Sequence, residues 1–402
     1  MDKVVVIGAG QAGFALAAKL RGEGYAGRIT LLGDEPEPPY QRPPLSKKYL
    51  LGEMEKARLF FRPPAFYAEH GIELCTGVRA EVIDRVAQRV HTTAGAMAYD
   101  ALVLATGARA IGLPQAQGGG LEGVHTIRTL ADIARLAPEI APGRHLVVIG
   151  GGYVGLEAAA VAALRGLTVT VLLRSGRVLR RVASAETAAY VSDLHRRHGV
   201  EIRAHAAIAG LTGTGRVTGV AFADGSHLAA DAVVVGIGAD CVPTIAVAAG
   251  LETRGGVVVD AFGRTSDPAI WAAGDCTEFP FRGEPTRLES VQNAVDQAEA
   301  VARNLLGAGQ PYQPAPWFWS DQYDLALQIA GLGRGHDRLV VRPGARAGTV
   351  SHWYYRGETL LACDAMNEPR AYMTAKRLIE AGHSPDPARV ADPGVNLKDL
   401  LS

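Results

Sequence analysis

Cysteine is scarce in this sequence. Only four cysteines occur in 402 residues, at positions 75, 241, 276 and 363, and no two have the spacing of a CxxC motif. A disulfide framework would be unusual in a chain of this length, and CxxC spacing is what most thiol redox and zinc sites require. We therefore expect reduced, buried thiols and no metal site.

Net charge and long hydrophobic runs are lacking as well. Lys and Arg number 41, and Asp and Glu number 41, so no overall charge draws the protein to nucleic acid or to an anionic membrane. No apolar run approaches the roughly 18 residues that a membrane span needs. A strand is predicted to begin by the third residue of MDKVVVIGAG, so we expect no signal peptide. These features predict a cytoplasmic protein that binds any charged partner through a local patch.

Glycine is abundant, and it occurs in short turns between apolar runs, as in repeated βα units. In the first unit an apolar strand, Val4–Ile7, precedes GAGQAG, a helix, and a strand that ends at Asp34. Gly8 permits the tight turn, Gly10 lets a pyrophosphate approach, and Gly13 lets the helix pack on the strand. The helix N-terminus would bind the phosphates, and Asp34 would accept hydrogen bonds from a ribose.

A second unit of the same kind starts near residue 145. The strand Leu146–Ile149 leads into GGGYVG, residues 150–155, and into a helix that carries Glu157. Two complete fingerprints in one chain predict two bound dinucleotides. The units differ where their second strand ends, because the first has Asp34 there and the second has Leu173 and Arg174.

Two other strand ends complete the first predicted site. ALVLATGAR, residues 101–109, ends in a Thr-Gly turn, and SDPAIWAAGDC, residues 266–276, reaches Gly274 and Asp275. An acidic side chain at the carboxyl end of a strand can accept hydrogen bonds from the hydroxyls of a ligand. Asp275 could instead cap a helix, but its place among these motifs favours the ligand.

The order of these motifs, GxGxxG, ATG, GGGYVG and GD, resembles that of the two-dinucleotide flavoprotein reductases of the glutathione reductase structural superfamily. Three further segments resemble the oxygenase-coupled, FAD-dependent ferredoxin reductases of the putidaredoxin reductase type and the related apoptosis-inducing factor. They are PYQRPPLSK (39–47), ESVQNAVDQA (289–298) and PWFWSDQY (316–323). The resemblance covers essentially the whole chain. It implies an α/β fold of two nested Rossmann-like dinucleotide-binding domains, for FAD and NAD(P), with a small C-terminal α+β domain.

The chain is accordingly predicted to divide into three domains. Residues 1–112 and 243–315 would form a discontinuous FAD-binding domain, 113–242 the NAD(P)-binding domain, and 316–402 the C-terminal domain. Segments of the last domain that are typical of strands are 325–329, 339–341, 350–355 and 359–363, followed by a helix over 370–381.

The resemblance also implies which residues contact the cofactors. Those for FAD are Gly8, Gly10, Ala12, Gly13, Asp34, Arg42, Lys47, Val82, Arg128, Asp275 and Val291. Those for NAD(P) are Gly150, Gly152, Tyr153, Val154, Gly155, Glu157, Arg174 and Arg180. Residues with positioning roles at the reacting rings are Lys47, Tyr153, Glu157, Trp317 and Trp319. Glu157 is a candidate partner of Lys47, and core packing is the alternative role for either tryptophan.

The electron acceptor is expected to lie outside the chain. Disulfide reductases of this superfamily carry redox-active cysteines after the first dinucleotide turn, but residues 33–74 contain none, and no cysteine cluster suits an iron–sulfur centre. The resemblance implies hydride transfer from NAD(P)H to FAD, and then single electrons to an acidic [2Fe–2S] ferredoxin that serves a cytochrome P450 or another oxygenase. Candidates for a basic docking patch are Arg58, Arg62, Arg287, Arg303 and Arg334.

The choice of nucleotide depends on the strand end near residue 173. Ferredoxin reductases of this kind usually have Glu there, which favours NADH, whereas this chain has Leu173, Arg174 and, six residues later, Arg180. This arrangement resembles the two arginines that bind the 2′-phosphate in NADPH-dependent glutathione reductase. Guanidinium groups suit phosphate oxygens, so NADP is favoured, with NAD as the alternative. Arg177 and Arg181 are expected to be solvated.

Two other classes of function stay open. One comprises NAD(P)H oxidases, quinone reductases and soluble disulfide reductases, the last disfavoured by the lack of cysteine in residues 33–74. The other is a redox-sensing interaction protein similar to apoptosis-inducing factor, disfavoured by the lack of a long insertion or basic tail. Fast turnover with a ferredoxin would separate a ferredoxin reductase from such an interaction protein, and slow reaction of the reduced enzyme with oxygen would argue against an oxidase.

Overall fold

The computed structural model describes residues 1–401, which fold into two compact units. The first unit comprises Met1–Arg42, Glu55–Arg109 and Ala239–Pro316, and the second comprises Pro43–Met54, Ala110–Gly238 and the chain from Trp317 onward. The three domain boundaries predicted from the sequence stay a prediction.

The helices follow the predicted βα pattern in both units. In chain order they are α1 (Gln11–Gly22), α2 (Pro64–Glu69), α3 (Leu130–Leu136), α4 (Tyr153–Leu164), α5 (Ala185–Arg197), α6 (Thr244–Ala248), α7 (Val291–Leu305), α8 (Pro369–Glu380) and α9 (Pro387–Ala391). Short 3₁₀ helices occur at Pro43–Ser46, Lys56–Leu59, Gln115–Gln117, Ala137–Glu139 and Leu397–Leu400. Among residues 1–401, every helix is too short or too polar to cross a membrane.

The first unit is built on a parallel sheet. Its strands lie in the order Ile270–Ala272, Ala101–Leu104, Lys3–Ile7, Arg28–Leu32 and Ile72–Cys75. The central strand is buried from Val4 onward, as expected for a parallel strand covered on both faces. Val4 and Val6 share a core with α1 and α7, whereas Val5 and Ile7 face a second core. The smaller sheets of this unit contain Ala80–Asp84, Arg89–Thr92 and Gly95–Ala98, and Val257–Val258, Thr277–Phe281 and Glu284–Thr286.

The second unit contains another parallel sheet of the same type. Its strands lie in the order Glu201–Arg203, Thr168–Leu172, His145–Ile149, Ala232–Val235 and Val124–His125. Helix α4 packs on this sheet, which places the second glycine-rich turn at the carboxyl end of the central strand. An antiparallel sheet of Ile208–Thr212, Gly219–Phe222 and His227–Ala229 packs on it through a shared apolar core. Two-residue strands occur at Arg109–Ala110, where the division between the units falls, and at Ala239–Asp240, in the first unit.

The C-terminal part of the second unit is an antiparallel sheet against which α8 packs. The strand order is Trp317–Gln322, Leu325–Gly331, Thr359–Met366, Val350–Arg356 and Arg338–Pro343. The predicted strands and the helix near residue 370 are all present, but the first of these five strands was not predicted. The α/β fold class, with parallel sheets and a C-terminal α+β part, is confirmed.

Candidate functional site

The first glycine-rich turn joins the strand Lys3–Ile7 to α1. Gly8 has a φ of +114°, and a Cβ there would stand 2.2 Å from the carbonyl oxygen of Ala105, so only glycine fits. Gly10, the N-cap of α1, supplies no capping side chain, and the first helical turn has no acidic residue. No other part of the described chain comes within 4 Å of where a Cβ on Gly10 would stand. The start of α1 is therefore open to an anion.

The second glycine-rich turn repeats this geometry before α4. Gly150 has a φ of +112°, and a Cβ there would stand 2.2 Å from the carbonyl oxygen of Gly236. Gly152 begins α4 without a capping side chain, and no acidic residue lies in the first turn. In contrast, serine or threonine side chains cap α3, α5 and α7. The two helices that follow glycine-rich turns thus fit two phosphate-bearing ligands.

Several predicted FAD contacts of the first unit lie on exposed or terminal positions. Asp34 is exposed just after the strand Arg28–Leu32 and has no partner within residues 1–401. Val82 is 54% exposed on its strand, and Val291 is the first residue of α7. Ala12 lies in the first turn of α1, beside the open helix start.

Asp275 follows a sharp turn at Gly274 in the first unit. The side-chain oxygen of Gln297, on α7, accepts hydrogen bonds from the Gly274 amide at 2.8 Å and from the Thr277 hydroxyl at 2.9 Å. Thr277 begins a strand, so Asp275 does not cap a helix. The turn is thus held by a side chain within the ESVQNAVDQA segment, which brings two of the sequence motifs together.

Arg42 lies in an acidic environment in the same unit. Its guanidinium is 2.6 Å from the Glu35 carboxylate and donates to the Tyr40 hydroxyl at 3.1 Å. Burial would lower the pKa of Arg42, but Tyr40, Glu35 and Asp275 together raise it above its ordinary value. Arg42 and Asp275 therefore interact electrostatically, although they are more than 200 residues apart in sequence.

Lys47 and Glu157 form a charged pair in the second unit. The Lys47 ammonium is 2.7 Å from Glu157 Oε2, and the side chains are 14% and 3% exposed. The Ser46 hydroxyl donates to the same oxygen at 2.5 Å, and the Ser320 hydroxyl donates to Oε1 at 2.6 Å. Burying a carboxylate costs free energy unless a counter-charge and hydrogen-bond donors compensate for the lost water, and Glu157 has both.

Tyr153 and Glu157 lie one turn apart on α4 and so share a face of the helix. Each contacts the strand that the sequence analysis missed. The ring of Phe318 is 4.7 Å from that of Tyr153, between centroids, and Ser320 bonds Glu157. Because side chains alternate along a strand, Phe318 and Ser320 share the face that meets α4.

Trp317 and Trp319 lie on the other face of that strand. Both are half-buried, and their ring centroids are 5.6 Å apart. Trp317 also packs against Ala330 and Tyr372 in a small apolar cluster. Trp317 thus has the core contacts that were considered as its alternative role, whereas a role for either ring at the flavin stays a prediction.

Five residues join this part of the site without having been identified from the sequence. They are Ser46, His195, Phe318, Ser320 and Gln322. The only local signal for the last three was the aromatic run WFW, since aromatic residues are enriched in strands; the segment WFWSDQ does not alternate. Nothing local marks Ser46 or His195.

The arginine-rich loop runs between the strand Thr168–Leu172 and α5. Arg174 and Arg180 are exposed, and neither guanidinium has an ion pair or a hydrogen-bond acceptor within residues 1–401. Leu173, where relatives were expected to have Glu, is 3% exposed and lies under Gly151. The loop therefore presents two unpaired positive charges beside the second glycine-rich turn.

Of the other two arginines of the loop, one differs from the prediction that both are solvated. Arg177 is half-buried, and its guanidinium donates to the carbonyl oxygen of Ser184 at 3.1 Å, so the prediction that Arg177 is solvated was wrong. Arg181 is exposed, yet its guanidinium lies against Gly238, 3.3 Å from where a Cβ would stand. Arg177 stabilises the loop itself because it ties it to the N-terminus of α5.

The remaining predicted contacts of the second unit differ in burial. Val154 is 43% exposed on α4, whereas Gly155 is buried against the strand that precedes it. Arg128 is half-buried just before α3, and its amide donates to Asp132 Oδ2 at 3.0 Å. These positions carry no geometry that distinguishes a ligand contact.

The candidate basic patch is partly neutralised within the protein. In the first unit, Arg303 pairs with Glu299 at 3.0 Å and with Glu23 at 3.5 Å, and Arg287 pairs with Glu289 at 3.1 Å. Arg62 stacks over a phenylalanine ring and donates to a backbone carbonyl. Arg58, in the first unit, and Arg334, in the second, are exposed, and their guanidinium groups have no partner within residues 1–401.

The cysteines are unpaired, and three of the four are buried. Burial raises the pKa of Cys241 to about 12, which keeps this side chain a neutral thiol. Within residues 1–401, no group of three or more His, Cys, Asp or Glu side chains is placed to hold a metal ion.

Two buried histidines of the second unit should control stability at low pH. Burial lowers the pKa of His195 and of His352 to about 4, so the unfolded chain binds more protons between pH 4 and 6.5. The stability that the neutral rings contribute is present above pH 6.5 and is lost as the pH falls toward 4. Asp364 acts in the opposite direction, because burial raises its pKa to about 6. The stability that its protonated carboxyl contributes is present at low pH and is lost as the pH rises through 6.

We expect His195→Gln to reduce the loss of stability between pH 7.5 and 5.0 by about 2 kcal/mol, because one fewer buried ring is protonated on unfolding. Urea unfolding of wild type and variant at both pH values measures this difference. His227→Gln is a control, since His227 is exposed. An equal pH dependence in wild type and His195→Gln would contradict the assignment.

Comparison with known proteins agrees with this arrangement. Residues 2–298 match the pyridine nucleotide-disulphide oxidoreductase family, and residues 317–401 match the reductase C-terminal family. The chain is 44% identical over 401 residues to rhodocoxin reductase of Rhodococcus erythropolis, covering 98% of this chain and 93% of that one. It is 39% identical over 409 residues to putidaredoxin reductase of Pseudomonas putida, covering 100% and 97%.

Solved structures show the same relationship. The covalent putidaredoxin reductase–putidaredoxin complex matches with a TM-score of 0.95 and 39% identity, covering 100% of this chain and 98% of that one. A ferredoxin reductase from Rhodopseudomonas palustris matches with a TM-score of 0.96 and 40% identity over the full length of both chains. Two glycine-rich turns with uncapped helices, together with these matches, show that the chain belongs to the pyridine nucleotide-disulphide oxidoreductase family and carries its reductase C-terminal domain.

Proposed function

We propose that this protein is an FAD-dependent NAD(P)H:ferredoxin reductase that supplies electrons to a cytochrome P450 or another oxygenase. The main supporting observation is the pair of uncapped helix starts, one in each unit, each preceded by a turn that accepts only glycine. Two phosphate-binding helices in a chain with full-length similarity to ferredoxin reductases suit FAD and a nicotinamide nucleotide. The balanced reaction is NADPH plus two oxidised ferredoxins to NADP⁺, two reduced ferredoxins and one proton.

FAD, when bound, would accept a hydride from the nicotinamide and release electrons one at a time. In the first unit, the open start of α1 would hold its pyrophosphate, Asp34 its ribose, and Arg42 and Asp275 its other polar groups. In the second unit, Lys47 would provide a positive charge near the ring, while Glu157 keeps that charge in place at 2.7 Å. Tyr153, supported by Phe318, would cover the nicotinamide side.

NADPH is the nucleotide that the arginine loop favours. Arg174 and Arg180 are exposed and unpaired within the described residues, so both guanidiniums are available to a ligand. A 2′-phosphate offers charge-assisted hydrogen bonds that an NADH ribose does not. Leu173 stands where similar ferredoxin reductases usually have Glu, so this position carries no carboxylate to repel the phosphate.

The acceptor is proposed to be a [2Fe–2S] ferredoxin. No cysteine occurs between residues 33 and 74, where disulfide reductases carry their thiols. Relatives are named as ferredoxin and putidaredoxin reductases, and one solved relative is joined to its putidaredoxin. Both facts favour an external one-electron carrier.

The first experiment is anaerobic rapid mixing of the purified flavoprotein with NADPH and, separately, with NADH, followed by loss of flavin absorbance. We expect bleaching with both, faster and tighter with NADPH, and fast reoxidation by added ferredoxin. Absence of bleaching with either nucleotide would contradict the proposed function. Slow reoxidation by ferredoxin but fast reaction with oxygen would identify an oxidase instead.

Charge reversal on the candidate docking patch should act on ferredoxin alone. We expect Arg62→Glu combined with Arg303→Glu to raise the KM for ferredoxin about tenfold, because complementary charge steers and orients the partner. Reduction of the flavin by NADPH should not change. Steady-state turnover with ferredoxin at several salt concentrations measures the effect, which salt should weaken.

Arg89→Glu is the matched control, because Arg89 is also exposed in the first unit but lies outside the patch. Arg62→Glu alone should account for most of the effect, since Arg303 is already paired with two glutamates. An unchanged KM in the double variant would place the docking surface elsewhere.

A further inference from the structure

A line of buried hydrogen bonds continues from Glu157 into the second unit. Ser320 donates to Glu157 at 2.6 Å, and the Gln322 side-chain amide donates to the Ser320 hydroxyl oxygen at 3.0 Å. His195 Nε2 lies 2.7 Å from the Gln322 side-chain oxygen, and the Tyr323 hydroxyl lies 3.2 Å from His195 Nδ1. Ser320, Gln322 and His195 are each at most 1% exposed.

The direction of every hydrogen bond in this line follows from its end at Glu157. The carboxylate, paired with the Lys47 ammonium, can only accept, so the Ser320 proton points to it. The Ser320 oxygen therefore accepts from the Gln322 NH₂ group, and the Gln322 carbonyl is left to accept from His195. The ring of His195 must then carry its hydrogen on Nε2, and Nδ1 accepts from Tyr323.

His195 is also kept neutral. Its ring is completely buried, and burial lowers its pKa to about 4. A protonated ring would put a hydrogen on both nitrogens and would have to displace the hydrogen bond from Tyr323. The ring is therefore neutral, in one tautomer, at pH values well above 4.

We propose that His195 and Gln322 are positioning residues that hold Glu157, and through it the Lys47 ammonium, at the flavin. This inference rests on the proposed function, because it assigns Lys47 to the flavin. Three donors converge on one carboxylate, and the most distant member, His195, is on α5, far in sequence from both α4 and the Pro43–Ser46 turn. Hydrogen bonds thus connect the Pro43–Ser46 helix, α5 and the strand Trp317–Gln322 to the Glu157 carboxylate on α4.

The same line is poorly suited to moving a proton. Passage from Glu157 toward Tyr323 would require the Gln322 amide nitrogen, which is a donor only, to accept a proton. Passage from Tyr323 toward Glu157 would require this amide to lose a nitrogen-bound proton and gain one on oxygen. This imidic acid form is far less stable than the amide. Every other side chain of the line could relay a proton. Gln322 therefore prevents proton transfer along the line and leaves it only the role of positioning Glu157.

Positioning should show in the flavin potential. A fixed ammonium near the ring stabilises the reduced, more negative flavin, and a mobile one stabilises it less. If loss of the line weakens this stabilisation about tenfold, the two-electron potential falls by about 30 mV. Reduction by NADPH should slow by a similar factor, while its KM stays unchanged.

The test compares four variants as FAD-bound protein. His195→Leu and Gln322→Met remove the hydrogen bonds and keep apolar volume, and His195→Gln restores an N–H donor at the position of Nε2. Ser192→Ala is the matched control, because Ser192 is buried on the same helix but its hydroxyl, within residues 1–401, bonds only the carbonyl oxygen of Ala188. The measurements are the flavin midpoint potential against a reference dye and the rate of flavin reduction at saturating NADPH.

We expect His195→Leu and Gln322→Met to lower both quantities as stated, His195→Gln to recover most of the loss, and Ser192→Ala to behave as wild type. Should His195→Leu fail to fold, Gln322→Met and His195→Gln still decide the question. Wild-type potential and rate in Gln322→Met would overturn the proposal, as would equal losses in His195→Gln and His195→Leu. If His195→Leu and Gln322→Met instead slow the release of the reaction's proton and leave the flavin potential unchanged, the positioning proposal is overturned, and the line transfers protons.

The ¹⁵N chemical shifts of the His195 ring test the geometry independently of turnover. We expect the Nε2–H tautomer and no titration between pH 5 and 8. If the wild-type flavin is not reduced by NADPH but these shifts are as expected, the proposed function fails and the hydrogen-bond line stands. The Nδ1–H tautomer would overturn the positioning proposal even in an active reductase.

Discussion

Replacing Arg174 with Glu is expected to raise the KM for NADPH about 100-fold and to leave the KM for NADH unchanged or lower. Arg174 stands directly after the buried Leu173, at the end of the strand Thr168–Leu172, with no partner of its own within residues 1–401. A glutamate there would repel the 2′-phosphate and could accept hydrogen bonds from the ribose hydroxyls of NADH. Rapid-mixing titrations of flavin reduction with each nucleotide measure both constants.

A second variant and a control separate binding of the 2′-phosphate by Arg174 from a general electrostatic effect on nucleotide binding. Arg180→Ala removes one charge without introducing another, and should raise the KM for NADPH about tenfold. Arg334→Glu changes an exposed arginine of the same unit that does not belong to the loop, and it should alter neither constant. An equal loss with NADPH and NADH in Arg174→Glu would mean that the arginine supports the loop and does not read the phosphate.

Replacing Glu157 with Gln is expected to slow flavin reduction about 100-fold, because an electrostatic contact at the reacting ring loses its fixed position. The change keeps the shape and one oxygen for Ser320, but leaves the Lys47 ammonium, 14% exposed, without its counter-charge. The unpaired charge should also lower the free energy of unfolding by about 3 kcal/mol. Stopped-flow reduction and urea unfolding measure the two effects.

Glu139→Gln is the matched control for stability. Glu139 is a buried carboxylate of the same unit that pairs with Arg144 at 2.5 Å and Arg216 at 2.7 Å, outside the site. It should lose stability to a similar extent and reduce its flavin at the wild-type rate. Slow flavin reduction in both variants would attribute the effect of Glu157→Gln to general destabilisation.

The local features of the fold were predictable because they depend on neighbours in sequence. The glycine-rich turns at 8–13 and 150–155 follow apolar strands, and both have the backbone geometry that only glycine allows. The alternating segments after residue 325 form strands within two or three residues of the predicted ends. In each case the signal is a short-range pattern of apolar residues and turn residues.

The strand Trp317–Gln322 shows where such patterns mislead. Its three aromatic residues in a row suggested rings delivered to a ligand, whereas polar Ser320 and Gln322 on alternate positions are buried. Polar residues at buried positions make sense only once their partners, Glu157 and His195, are known. Those partners lie more than 100 residues away, on two different helices.

By itself, the sequence determined the α/β class, the two dinucleotide-binding turns, the lack of a thiol pair near the first turn and the unusual arginines after the second. Each of these is a property of consecutive residues. Only the tertiary structure decided that Arg177 bonds its own loop, that Gln297 holds the Asp275 turn, and that Ser46 and Ser320 join Lys47 at Glu157. The reason is that a buried polar group needs hydrogen-bond partners, and these partners can come from any part of the chain that the fold brings close. Local sequence patterns therefore do not show which residues they are.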